Sequence, residues 1–260
     1  MSIKLKIAVI GGGNIGGATA KGLWAACREQ VGITVTAKHA ATLEKFTAAG
    51  MSTGLDNRAA VRGADIVILA VKPWLMEEVV RDLAPAIGIE AATVVSMAPG
   101  IEPEDLMEWL GGRANLAYVI PNTAIAAGQS MTFVVPVSIS DERTAVLKDL
   151  FGKVGSVLVV DRDMLRPGTS LASCGIAYAL RYISAAARGG EGLGFSHKDS
   201  LAAVCQTVRG ALAILEAGGS EPEDEIDKVT TPGGMTLKGL EAMEENGFSK
   251  AVAAGLDANR

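Results

Sequence analysis

A short apolar run meets three glycines at Ile7-Ala8-Val9-Ile10-Gly11-Gly12-Gly13-Asn14-Ile15-Gly16, in the spacing G-x-G-x-x-G. Placed between a strand and a helix, that spacing binds the pyrophosphate of a dinucleotide. Gly11 permits the tight turn, Gly13 lets the backbone approach the phosphates, and Gly16 allows close helix–strand packing. The free amides of the first helical turn, including those of Asn14 and Ile15, and the helix dipole favour the negative charge. The second strand should end near Thr36-Ala37-Lys38-His39, where an NAD site usually places an acid on the ribose 2′-hydroxyl. No acid follows until Glu44. An acid would repel a 2′-phosphate and Lys38 attracts one, so the expected cofactor is NADP(H), with NAD(H) as the alternative. Ligands in doubly wound sheets lie outside the carboxyl ends of the strands. Ala70-Val71-Lys72-Pro73 should therefore line the cofactor crevice, and Ala98, within Ser96–Gly100, should lie near the nicotinamide.

Metal chemistry has little to work with. The only histidines are His39 and His197, and the three cysteines, Cys27, Cys174 and Cys205, form neither a ligand pattern nor a disulfide framework. Reduced thiols in a cytoplasm are expected. The chain has 260 residues, 49% hydrophobic and 20% charged, with a formal net charge of -5. That balance suits a globular fold and gives a phosphate backbone no basic surface, so nucleic acid is not expected as a partner. The run Ile7–Gly12 is too short for the core of a signal peptide, and no uncharged apolar stretch approaches the roughly 20 residues that span a bilayer, so no membrane partner is expected either.

Two halves must position these groups. Apolar runs at Lys6–Ile10, Ile33–Ala37, Ile66–Val71 and Thr93–Ser96 read as strands, with helices over Gly16–Glu29, Thr42–Ala49 and Met76–Ala84 between them. Leu116–Ile120, Thr132–Val137 and Ser156–Val160 are rich in β-branched residues and read as further strands. Strands without polar alternation suit a sheet covered on both faces, hence an α/β Rossmann-type doubly wound domain over residues 1–161. Residues 162–260 read as all-helical: Ser170–Ala187, Lys198–Ala217 (capped by Ser196), Leu237–Glu245 and Lys250–Asn259. The links between these helices are expected at Gly189–Gly194, Gly218–Glu225 and Pro232–Gly234.

Several colinear segments resemble the pyrroline-5-carboxylate reductase family: IGGGNIGGA (Ile10–Ala18), AVKP (Ala70–Pro73), PNT (Pro121–Thr123) followed by Gly128, ASCGIAY (Ala172–Tyr178) and, most specifically, VTTPGGMTLKGLEAMEENGF (Val229–Phe248). The resemblance covers nearly the whole chain. It implies a Rossmann domain followed by a helical domain that intertwines with its twin in a homodimer or a higher oligomer. It also implies reduction of 1-pyrroline-5-carboxylate to L-proline by hydride from NAD(P)H, the last step of proline biosynthesis. Asn57 falls where the family keeps an asparagine near the adenine ribose, and the imine is implied to bind between the nicotinamide and the TPGGMT loop. There the amides of Gly233, Gly234 and Met235 and the hydroxyls of Thr231 and Thr236 would hold the substrate carboxylate, with Thr236 beside the reacting ring as the candidate catalytic group. Because an iminium accepts hydride readily, no strong general acid is required.

The chain departs from the family's pattern at Tyr118, where the family usually has an arginine, at Cys174 and Ile176 in ASCGIAY, and at Met235 in the signature. These departures keep another cyclic imine or imino acid open as the substrate. A Rossmann hydroxy-acid dehydrogenase is a second reading, but such enzymes use a helical lysine and Ser170–Ala187 contains none. A non-catalytic NADP-binding sensor is a third.

Overall fold

In a computed structural model, which describes residues 4–88 and 90–258, the apolar runs become a single eight-stranded sheet. Its strands are β1 (Leu5–Ile10), β2 (Val31–Thr36), β3 (Ser52–Gly54), β4 (Ile66–Leu69), β5 (Thr93–Ser96), β6 (Asn115–Ile120), β7 (Ser130–Pro136) and β8 (Gly155–Val159), in spatial order 3-2-1-4-5-6-7-8. β1 to β6 are parallel; β7 runs antiparallel to β6, and β8 is parallel to β7. The chain winds outward from β1 in one direction and from β4 in the other, so the order reverses between these two neighbours. A crevice opens at such a reversal.

Alternate residues along each strand feed two apolar layers, as a pleat of period two requires. Ile7, Val9, Ile33, Val35, Ile68 and Val119 face α1 (Asn14–Cys27), α2 (Ala40–Thr47) and, further along the chain, Leu147, Leu150 and Phe151. Ala8, Ile10, Val67, Leu69, Val94 and Tyr118 face Val61 of α3 (Asn57–Val61), Val80 of α4 (Met76–Leu83) and Leu106 of α5 (Pro103–Trp109). Most of these side chains are fully buried, and each buried Val, Leu, Ile or Phe contributes about 1.5–3 kcal/mol by leaving water. α6 (Asp141–Gly152) carries the three residues of the first layer just named.

The chain divides into two compact units, one up to Ile176 and the other from Ala177. The second unit is helical: the greater part of α8 (Gly175–Gly192), which follows α7 (Leu165–Gly168) and a wide π-turn over Thr169–Cys174, then α9 (His197–Gly218), α10 (Pro222–Val229), α11 (Met235–Glu245) and α12 (Phe248–Asp257). Within it, only Ala187 and Ser200 are buried among the described residues, while Leu180, Leu193, Phe195, Leu212 and Ile214 stay exposed. α9 is long and apolar enough, by length and composition, to cross a membrane, and none of its most apolar 18-residue segment is buried.

Several expected boundaries need correction. α1 starts at Asn14, two residues earlier than expected, and β4 ends at Leu69, leaving Ala70 and Val71 in the following turn. The Gly189–Gly194 link is largely helix, because α8 continues through Gly192. The Gly218–Glu225 link is cut short by α10. Pro222 opens that helix with its fixed φ, and Glu221 and Asp224 cap its first turn reciprocally. Ser196 caps α9 as expected, its Oγ accepting from the Asp199 amide at 3.1 Å. The expected helix end at Asn259 and the domain ends at Met1 and Arg260 lie outside the described residues.

Candidate functional site

At the reversal, Gly11 has φ +107, a left-handed value that disfavours any side chain, and a Cβ there would lie 2.7 Å from the Ala70 carbonyl oxygen. The glycine loop thus lies directly against the end of β4. A Cβ at Gly16 would run into the Gly11 carbonyl, whereas around Gly13 nothing lies within 4 Å. Gly13 is also the N-cap of α1 and offers no side-chain acceptor, and the helix's first turn carries no acid. The amides of Asn14 and Ile15 therefore begin the helix beside open space, as an anion-binding terminus requires.

Around this loop, the other positions fall at strand ends. Lys38 is exposed two residues past β2, with no acid beside it. Asn57 is half-buried at the first position of α3, whose cap Asp56 accepts from the Ala59 amide at 3.1 Å. Ala70 and Val71 leave β4 half-buried; Lys72 and Pro73 are exposed, and the Lys72 ammonium stands 5.8 Å from the centre of the exposed Trp74 ring.

Ala98 is buried just past β5, where the Ser96 hydroxyl accepts from its amide at 3.3 Å. The carbonyl of Ala98 accepts from Ile101 N–H at 3.2 Å, closing a turn through Pro99 and Gly100. Tyr118, fully buried on β6, donates its hydroxyl to the Ile101 carbonyl at 2.5 Å. Burial, followed by the nearby Glu102 carboxylate, pushes this phenol well above the ordinary tyrosine range, so it stays a donor. Just beyond, Arg162 grips Glu104 with both guanidinium nitrogens, at 2.5 and 2.7 Å, and reaches Glu102 at 3.2 Å. Its hydrogen bonds hold the Glu104 carboxyl below the usual carboxylate range.

At the end of β6 the Pro121-Asn122 corner is tied to the π-turn. Ser173 donates its hydroxyl to the Pro121 carbonyl at 3.0 Å, and the buried Asn122 side chain accepts from the Ala124 amide. The turn after it, Thr123–Ala127, presses so closely on α1 that a side chain at Gly22 would strike the Ile125 carbonyl.

In the helical unit, Thr231-Pro232-Gly233-Gly234 is a type II turn. Proline stands second, Gly233 takes φ +71, and Gly234 N–H donates to the Thr231 carbonyl at 2.8 Å. Gly234 then caps α11 without a side-chain acceptor, which leaves the first amides of that helix as open donors. The helix starts at Met235 rather than near Leu237, so Met235 and Thr236 belong to its first turn; both are exposed, Met235 at 92%. A Cβ at Gly234 would lie 2.5 Å from the Thr231 hydroxyl, which places that hydroxyl over the same helix end. Among the described residues no group of three His, Cys, Asp or Glu could hold a metal ion.

Ser96 and Ser173 fall within the motif segments Ser96–Gly100 and ASCGIAY and Tyr118 is a departure from the family's pattern, but no motif marks the bonds that their hydroxyls make. Ser173 and Tyr118 act on carbonyls more than 15 positions away in the chain, and no local pattern announces such a contact.

The family description "Pyrroline-5-carboxylate reductase dimerisation" matches residues 163–260, and "NADP oxidoreductase coenzyme F420-dependent" matches residues 6–100. Pyrroline-5-carboxylate reductase of Glycine max is 34% identical over 78% of this chain and 74% of that protein. The chain belongs to the pyrroline-5-carboxylate reductase family. Pyrroline-5-carboxylate reductase 1 of Dictyostelium discoideum is also 34% identical over 96% of the chain, which spans about half (48%) of that relative's length. The solved pyrroline carboxylate reductase of Plasmodium falciparum, with NADP bound, has the same fold: its TM-score is 0.88 at 23% identity, over 100% of this chain and 97% of that one.

Proposed function

We propose that this chain reduces 1-pyrroline-5-carboxylate to L-proline with hydride from NADPH, one proton being taken up at the ring nitrogen. One observation, besides family membership, carries the reading. Among the described residues, α1 and α11, one in each unit, begin on extended glycine caps without a side-chain acceptor, whereas the glycine that starts α12, Gly247, is left-handed. The first is built for a pyrophosphate, and the second, with Thr231 beside it, for a small carboxylate.

When bound, the dinucleotide supplies the hydride; the protein binds, orients and excludes water. Gly13 leaves the room a pyrophosphate needs, and Lys38 at the end of β2 favours a 2′-phosphate. Asn57 and Ala70–Pro73 border the adenosine half, and Ala98 the nicotinamide half. The amides of Met235 and Thr236 and the Thr231 hydroxyl hold the imine's carboxylate, while Thr236 Oγ1 serves the ring. The substrate binds already protonated from water, so no buried acid is needed, and the threonines orient it rather than drive proton transfer.

The working form in this reading is a homodimer joined through the helical unit. Apolar side chains on α8, α9 and α12 are exposed, and a groove of about 740 Å³ lined by Tyr178, Tyr182, Met243, Phe248 and Val252 opens between helices α8, α11 and α12. A second copy covering these surfaces explains a hydrophobic α9 without a membrane. The three cysteines are free, in keeping with a cytoplasmic setting.

The test is direct. Purified protein with racemic pyrroline-5-carboxylate should consume NADPH faster than NADH, and product analysis should find L-proline. Binding of NADPH without oxidation by the imine would sink the substrate assignment.

A further inference from the structure

The position at which the family's pattern has an arginine is filled here by a buried phenol, and its geometry gives it a task. We propose that Tyr118 is a positioning residue for hydride transfer, its hydroxyl holding the Ala98–Ile101 turn in the place where the nicotinamide end of the dinucleotide rests. The inference rests on the reductase reading above.

Tyr118 lies on β6, in the half of the sheet (β4 to β6) that takes the nicotinamide side of a dinucleotide. The turn after β5 is fixed at its start by Ser96 Oγ, which accepts from Ala98 N–H, and closed by the bond from Ile101 N–H to the Ala98 carbonyl. At its far end, where Ile101, and Leu106 of α5, pack on the core, the polar side-chain ties are the Tyr118 bond and a set of solvent-exposed ion pairs. Those pairs, Glu102 and Glu104 with Arg162, and Glu102 with Arg166, have every partner about half or more exposed, and such pairs contribute little. The Tyr118 hydroxyl is different. It is buried, it donates to the Ile101 carbonyl at 2.5 Å, and burial keeps it protonated. A charged donor at a fully buried site would carry a desolvation penalty that the phenol avoids. One backbone carbonyl thus transmits the position of β6 to the turn that carries Ala98.

Tyr118→Phe removes the hydroxyl and keeps the ring. In the full-length protein with NADPH, the expected result is a kcat about tenfold lower with an NADPH Kd within about twofold of wild type. The kinetic isotope effect on kcat with NADPH deuterated at the transferred position should rise, because a loosened nicotinamide makes the hydride step more limiting. A merely structural role would lower the active fraction and leave the isotope effect unmoved; that outcome, or a wild-type kcat, overturns the proposal. Ser96→Ala loosens the other end of the same turn and should raise the isotope effect in the same way, which keeps the idea testable if Tyr118→Phe folds poorly. Amide hydrogen exchange at Ile101, whose N–H closes the turn on the Ala98 carbonyl, tests the tie without turnover: it should be about tenfold faster in either variant, and unchanged exchange overturns it. Wild-type protein inert toward the imine sinks the reductase reading instead, and leaves the exchange result to judge the tie.

Discussion

The two units use similar apolar residues in opposite ways. In the α/β unit, Ile7, Val9, Val35, Ile68 and Val119 disappear between a sheet and its covering helices. In the helical unit, Leu180, Leu193, Leu212 and Ile214 remain half to mostly exposed, and the only buried residues among those described are small, Ala187 and Ser200. The difference teaches that the first unit can offset its own ordering entropy by burial, while the second cannot without more chain packed against it.

The sharpest way to break that contrast is a charge on α9. Ile214→Asp should abolish the proposed dimer, leaving a monomer by light scattering and an activity loss of at least about a hundredfold. Val146→Asp, at a similarly exposed site on α6, should cost no more than about 0.5 kcal/mol in a denaturant melt. An Ile214→Asp protein that stays dimeric and active would remove the distinction.

Within the α/β unit the glycine loop separates fold from ligand. Gly11→Ala, at φ +107 and against the Ala70 carbonyl, should cost about 2–4 kcal/mol of stability as well as NADPH binding. A Cβ at Gly13 meets no protein atom within 4 Å, so Gly13→Ala should lose only the smaller stability of an alanine N-cap while its NADPH Kd rises tenfold or more by fluorescence titration. Equal loss of stability in both would refute the open-space account.

The carboxylate site proposed in the helical unit should answer to the other substrate. Thr231→Ala with Thr236→Ala is expected to raise the imine KM about tenfold and leave the NADPH KM alone. A rise in the NADPH KM would misassign the loop. On the cofactor side, Lys38→Glu should move the NADPH-to-NADH ratio of kcat/KM toward NADH by about tenfold, through repulsion of the 2′-phosphate.

The smallest effect concerns pH. Glu104 is held low by Arg162, so its contribution is present above the unfolded carboxylate value of about 4.3 and fades as pH falls through the lower folded value. Arg162→Ala should flatten that acid limb slightly in melts between about pH 5 and pH 2.

Much of the fold was legible where burial is two-sided. Runs such as Ile66–Leu69 and Thr93–Ser96 are apolar throughout because helices cover both faces of the sheet. The elements that escaped notice lack that signal. β3 is Ser52-Thr53-Gly54, with no apolar residue to mark it, and α10, Pro-Glu-Asp-Glu-Ile-Asp-Lys-Val, is mostly charged. α6 buries only Leu147, Leu150 and Phe151 beneath a polar surface. At the site, the glycine spacing and the TPGG turn are local and could be read directly. The bonds from Tyr118 to Ile101 and from Ser173 to Pro121 arise only once β6, the turn after β5 and the π-turn are packed together.

The type II turn at Thr231–Gly234 carries one more consequence. Proline fixes one torsion and glycine occupies a left-handed well, so the chain is already ordered there before any ligand arrives. A carboxylate docking on the following helix end then loses its own freedom but imposes little new order on the protein. On the proposed reading, replacing Pro232 with alanine should therefore weaken carboxylate binding mainly through entropy, with the calorimetric heat nearly unchanged, as expected of a receptor whose shape was settled during folding.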